Sequence, residues 1–171
     1  MLRLLLLRHA EAVVHAAAGD MERRLTTAGR TGAARIGAYI RKSGLAPDLV
    51  FVSPARRTLE TLEIVESEMG QKLSSAIEPS LFSASLSAVQ GMLMRTPAAI
   101  RTLLIVGHNP SLAELANVLA SEGESASLTT MRSQFPAPCL AVIDFRVDDW
   151  SEAYAGRGAL DRFVTLPTLS G

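Results

Sequence analysis

The sequence predicts a three-layer α/β/α sandwich built on a mostly parallel central sheet. Short, wholly apolar runs recur at Leu4–Leu7, Leu49–Val52 and Leu103–Val106, the way strands buried on both faces read. Segments of helical length with one apolar face stand between them. Neither an internal repeat nor a linker interrupts this alternation, so the expectation is one domain over residues 1–171.

The elements follow in order. A first strand covers Arg3 to Leu7, and Ala10 to Arg24 reads as a loop with at most a helical turn. Thr26 or Thr27 can cap a helix whose inner face carries Ala33, Ile36, Gly37 and Ile40, with Gly44 as its stop. The strand Leu49–Val52 leads to Pro54, placed as a first-turn proline, and to a helix facing inward through Thr58, Thr61, Leu62, Val65 and Met69. Ala76-Ile77 reads as an edge strand, and Leu86, Val89 and Leu93 form the apolar side of a further helix. Thr102–Val106 is the clearest strand, and Pro110 repeats the proline device before Leu112, Leu115, Ala116 and Leu119. Ser121 to Gln134 is polar and reads as a loop or short helix. Leu140–Phe145 is a strand, and Leu160–Thr165 is expected as a last edge strand.

Composition narrows the function classes. The 17 basic and 17 acidic residues balance, so no global field draws the chain onto nucleic acid or an anionic membrane. The single cysteine, Cys139, excludes an internal disulfide and a cysteine-based zinc cluster, and its apolar surroundings suit a buried strand. The apolar start is broken at once by Arg8 and His9, and no stretch reaches the length of a membrane span. A soluble, cytoplasmic protein is expected.

The chemistry gathers at strand ends. The three apolar runs finish in Arg8-His9, in Ser53-Pro54-Ala55-Arg56-Arg57 and in Gly107-His108. In an open parallel sheet ligands collect beyond the carboxyl ends of the strands, so these three endings can meet in one crevice. Imidazole serves as nucleophile or proton carrier near neutral pH, and guanidinium forks match phosphate oxygens. Arg8, His9, Arg57 and His108 thus supply a nucleophile and fixed positive charge, which are the needs of phosphoryl transfer.

These motifs resemble those of the histidine phosphatase superfamily, the phosphoglycerate-mutase-like proteins. Leu7-Arg8-His9-Ala10-Glu11 is similar to its arginine-histidine signature, Ser53-Pro54-Ala55-Arg56-Arg57 to its second motif, and Val106-Gly107-His108-Asn109-Pro110 to its third. The register of the second motif selects Arg57 over Arg56. Asp20-Met21-Glu22-Arg23-Arg24-Leu25-Thr26 resembles a segment of the small SixA-like phosphohistidine phosphatases, with Ala10 and Arg24 where that group has glycine and proline. The resemblance implies His9 as the residue phosphorylated in turnover and His108 as a second catalytic imidazole. Arg8, Arg57 and Arg23 would hold the phosphate, with no metal or other cofactor. It implies, as partner, a protein carrying phosphohistidine or a small phosphorylated metabolite.

Mutases and ester phosphatases of the superfamily carry a glutamate after the third strand that protonates an alkoxide leaving group. Phe82 to Val89 contains no carboxylate. A phosphorus–nitrogen bond needs less help, because imidazole is a far weaker base than an alkoxide, and this favours phosphohistidine or another activated substrate, protein phosphohistidine foremost. Glu11 and Asp20 remain candidates for an acid or an orienting group. The alternatives are a small-molecule phosphatase using one of these carboxylates, and a noncatalytic phospho-ligand binding module. His9, Glu11 and His15 also invite a metal reading, but their spacing fits no common ligand pattern and the arginines would repel a cation. Arg24, Arg56 and His15 read as solvated side chains, and Trp150 as closing a hydrophobic edge.

Overall fold

Every leucine of the first apolar run is buried, and the pleat divides them between two cores. Leu2, Leu4 and Leu6 face one layer, Leu5 and Leu7 the other, all at zero exposure. They belong to β1 (Leu2–Arg8), the central strand of a computed structural model that describes residues 1–170. Burying each such side chain contributes roughly 1.5–3 kcal/mol, so β1 is the anchor of both layers.

The remaining elements in chain order are α1 (Thr27–Lys42), β2 (Leu49–Val52), α2 (Arg56–Met69), β3 (Ser75–Ile77), α3 (Leu86–Met94), β4 (Thr102–Gly107) and α4 (Ser111–Leu119). They are followed by β5 (Ala120–Gly123), α5 (Ser125–Ser133), β6 (Cys139–Phe145), β7 (Gly158–Thr165) and α6 (Leu166–Leu169). The strands form one sheet in the order β3-β2-β4-β1-β6-β7-β5. β6 runs antiparallel to both its neighbours and the other pairings are parallel. On one face Val89, Leu93, Leu112, Leu115 and Leu128 of α3, α4 and α5 pack on Leu4 and Leu6. On the other, Ile36, Ile40, Leu62 and Val65 of α1 and α2 pack on Leu5 and Leu7. The expected three-layer α/β/α architecture is the observed one.

α1 begins where its sequence says it should. Thr26 caps it, its hydroxyl accepting from the Gly29 amide at 2.9 Å. Gly29 is required there by close approach: a β-carbon would lie 2.0 Å from the carbonyl oxygen of Glu11. The Thr26 amide donates to that same carbonyl at 3.0 Å, so the loop after β1 is strapped to the start of α1.

Three expectations change. Leu160–Thr165 lies in β7, which is not an edge strand: β5 covers it, formed by Ala120–Gly123 in a region read as loop or helix. Pro54 precedes α2 instead of sitting in its first turn, because Ser53 and Pro54 make the turn itself, with Ala55 as N-cap. Pro110 is likewise the N-cap residue of α4. Trp150 closes an edge as expected, fully buried with its indole N–H donating to the Ile100 carbonyl at 2.6 Å. Cys139 is buried in β6, and burial pushes its thiol pKa up, in keeping with an apolar role. No described helix is long and apolar enough to cross a membrane.

Candidate active site

Strand register brings the three endings together. β4 lies between β1 and β2, with Arg8 opposite Gly107 and Val52 opposite Val106, so His9, Ser53 and His108 leave the sheet at the same level. The backbone continues the ladder one step: the His9 amide donates to the Gly107 carbonyl at 3.2 Å and the Ser53 amide to the Val106 carbonyl at 3.1 Å. As a result the His9 and His108 rings stand 5.3 Å apart between centroids, tilted by 57°. Each residue is only 8% exposed.

The hydrogen bonds assign each ring a tautomer. Nδ1 of His9 lies 2.7 Å from the Ala10 carbonyl, which can only accept, so Nδ1 carries the proton and Nε2 keeps its lone pair. Burial depresses the His9 pKa to about 4, the arginines Arg57, Arg8 and Arg23 push the same way, and the Ala10 bond opposes them. The Ala10 amide is pinned in turn by Thr61 Oγ1 at 3.1 Å. His9 therefore presents a neutral imidazole with a free Nε2 at physiological pH.

His108 is oriented the opposite way. Its Nδ1 accepts from Arg57 Nη2 at 3.3 Å, so its Nε2 carries the proton and donates to Ser53 Oγ at 2.7 Å. Burial first, then Arg57 and His9, lower its pKa to about 3. With both imidazoles neutral, the positive charge of the site resides on guanidinium groups.

Those groups are held with donors to spare. Arg8 donates through Nη1 to the Phe135 carbonyl at 2.8 Å, and Asn109 Nδ2 donates to the same carbonyl at 2.9 Å. Arg57 is buried, donating through Nη1 to the Asp20 carbonyl at 2.9 Å and through Nη2 to Asp20 Oδ2 at 3.2 Å. Among the described residues, the buried side-chain polar atoms without a partner are Arg8 Nε, Arg57 Nε and Asn109 Oδ1, all at this site. Buried polar atoms left unpaired are costly, and two of these three are donors on cations, the third being an acceptor.

The candidate carboxylates take different places. Asp20 is exposed, yet its carboxylate bridges two arginines, accepting from Arg23 Nη1 at 2.9 Å as well as from Arg57. The Arg23 bond, aided by Arg57, lowers its pKa, so it stands as an ionised orienting group. Arg23 is braced by its Nε donating to the Val13 carbonyl at 2.7 Å. Glu11 is turned to α1 instead, where its Oε1 accepts from Thr26 Oγ1 at 2.9 Å. His15, Arg24 and Arg56 are exposed. Among the described residues no three His, Cys, Asp or Glu side chains cluster within reach of one metal ion.

A cleft of about 450 Å³ opens over this edge of the sheet. Asp20, Arg57, His108 and Asn109 line its polar side, and Phe82, Ala84 and Pro110 its apolar side, with Ser83 between. α2 and α4 start here without a side-chain cap, leaving their first-turn amides facing the anion-favouring end of each helix dipole.

Sequence reasoning left several contributors unassigned. Ser53 and Asn109 stand inside the recognised motifs, and their position directly after a strand was the available signal. Thr61 reads as core because it occupies an inward helix position. The Phe135 carbonyl and Phe82 carry no local pattern; their roles arise from chain segments that the fold alone brings to the site.

Comparison with known proteins agrees with this geometry. The family model described as the histidine phosphatase superfamily (branch 1) matches residues 4–134. An uncharacterised Mycobacterium tuberculosis protein is 30% identical over 159 residues, covering 92% of this chain and 98% of its own. A Nakamurella multipartitia protein proposed as the phosphohistidine phosphatase SixA superposes with a TM-score of 0.83 at 25% identity, over 96% of this chain and 95% of that one. The protein histidine phosphatase SixA in complex with tungstate has the same fold, with a TM-score of 0.81 at 24% identity over 98% and 99% of the two chains. With two facing imidazoles framed by arginines at the ends of β1, β2 and β4, and a family match over most of its length, this chain belongs to the histidine phosphatase superfamily.

Proposed function

We propose that the protein is a phosphatase that works through a phosphohistidine on His9 and removes phosphoryl groups from protein phosphohistidine. The observation that carries the reading is the meeting of a free His9 Nε2, the His108 ring 5.3 Å away and the buried, unpaired Nε atoms of Arg8 and Arg57. A tetrahedral dianion between them would satisfy both guanidinium groups, and Arg23 would add charge from the rim through its bridge to Asp20.

In the first step the Nε2 lone pair of His9 attacks phosphorus and the bond to the leaving group breaks. The leaving imidazole takes the electron pair of the broken P–N bond and gains one proton. That proton comes from solvent and is returned when the attacking water gives one up in the second step, while the His108 Nε2–H is placed to stabilise the phosphoryl oxygens. In the second step water attacks phospho-His9, releasing inorganic phosphate and regenerating the imidazole. The sum is hydrolysis of one phosphoramidate bond by one water.

The substrate class is supported by what the cleft offers as acid. Its one lining carboxylate, Asp20, is paired with two arginines and has a lowered pKa, which suits charge orientation and not protonation of an alkoxide. The high structural similarity to the Nakamurella protein over nearly the whole chain supports the same class. A brief reaction with a 32P-labelled phosphohistidine protein, quenched and resolved by gel, should place label on the enzyme. His9→Ala should carry none and lose turnover by at least about a thousandfold. Normal turnover by His9→Ala would overturn the assignment, and faster cleavage of alkyl phosphate esters than of phosphohistidine would overturn the substrate class.

A further inference from the structure

The apolar side of the cleft is built with more care than a solvent-facing loop needs. Phe82 is half-buried, with its ring centroid 5.8 Å from that of His108 at 87°, and the Arg57 guanidinium carbon lies 6.0 Å from the Phe82 centroid. Leu81 before it is fully packed in the core at 1% exposure, and Ser85 after it caps α3 by accepting from the Ala88 amide at 3.2 Å. Between these anchors Ser83 takes a positive φ of 59°, the one non-glycine residue to do so among the described residues. Side chains with a β-carbon avoid that region, and such departures concentrate at ligand sites. The segment is thus held in a fixed, locally unfavourable conformation that leaves an aromatic ring standing beside the second imidazole and a phosphate-side arginine.

We propose that Phe82 is a specificity wall that packs against a flat, aromatic leaving group. The inference rests on the phosphatase reading above and narrows its substrate class to phosphoryl groups carried on a planar ring, the imidazole of phosphohistidine foremost. The ring's quadrupole is already engaged by Arg57 on the phosphate side. Its remaining contact surface, with Ala84 and Pro110 on the same side of the cleft, matches a planar heterocycle better than a hydroxylated sugar or a bare amine. The reacting bonds are unchanged: imidazole departs with the electron pair of the P–N bond and takes one proton, and the phosphoryl group passes to His9. Phe82 touches the departing ring and not the phosphorus.

The test compares two P–N substrates that differ in the leaving group alone, a phosphohistidine peptide and phosphoramidate, which releases ammonia. The readout is the ratio of their kcat/KM values in the wild type, Phe82→Leu and Phe82→Tyr. Phe82→Leu keeps apolar bulk but removes the aromatic face, and should lower the ratio roughly five- to tenfold. Phe82→Tyr should keep it within about twofold of wild type. A Phe82→Leu ratio within about twofold of wild type overturns the proposal, whether both rates fall together or neither does. If the wild type takes no label from either substrate, the phosphohistidine mechanism itself fails and this inference falls with it.

Discussion

Acid should weaken this fold in a pH window where most proteins change little, and the two active-site histidines determine by how much. An unfolded histidine titrates near 6.5, whereas His9 and His108 titrate near 4 and 3 in the folded chain. Below pH 6.5 the unfolded state binds protons that the folded state refuses, so falling pH favours unfolding. The penalty is absent well above 6.5, grows through the range between, and stops growing below the folded values. Between pH 7 and pH 5.5 each ring contributes about 1.3 kcal/mol, or about 2.5 kcal/mol for the two. For a domain of this size that lowers Tm by roughly 5–10 °C. Urea unfolding at the two pH values, in buffers free of phosphate, measures it directly. Replacing both rings, as His9→Asn with His108→Asn, should remove most of the slope. Stability that is flat from pH 7 to 5.5, or a slope that survives in the double variant, would refute the claim that the site holds two neutral imidazoles.

Activity carries a related signature: the acid limb of kcat/KM should lie well below 6.5, towards 4, because His9, the proposed nucleophile, stays unprotonated there, and a limb at 6.5 would contradict it. Ser53→Ala strands the buried His108 Nε2–H, so about 1–3 kcal/mol of stability should be lost in denaturant unfolding, and kcat should fall as the ring loses its orientation. Asp20→Ala should lower kcat/KM about tenfold by loosening Arg57 and Arg23, with the shape of the pH profile preserved because Asp20 orients and does not donate a proton. Gly29→Ala forces a β-carbon into the Glu11 carbonyl, so a loss of about 2 kcal/mol or more is expected, together with weaker phosphate binding as the loop bearing Asp20 and Arg23 shifts.

Elements with a strong two-sided apolar signal were legible in sequence almost to the residue: β1, β2 and β4 read directly because both layers bury them. β5 was not, since Ala-Ser-Glu-Gly at an exposed edge has neither alternation nor β-branched residues, and its pairing with β7 is decided by where α4 ends. For the same reason β7 was taken for the rim. At the site, His9, His108, Arg8 and Arg57 were legible because they belong to short motifs at the carboxyl ends of strongly apolar strands. The tautomers, the Asp20 bridge and the Phe82 wall depend on distances between segments far apart in the chain, which local pattern does not encode. Glu11 shows the reverse: it lies two residues from His9 in sequence, but its side chain turns to Thr26.

The one reversed strand, β6, brings an incoming segment to an edge where β1, β2 and β4 deliver outgoing ones. Its approach places a lone peptide oxygen, that of Phe135, under both the Arg8 guanidinium beside His9 and the Asn109 amide beside His108. Tilting that single peptide plane would disturb the Arg8 and Asn109 side chains together. Residues 134–138 are therefore the segment through which a change remote from the histidines in sequence would reach both Arg8 and Asn109 at once.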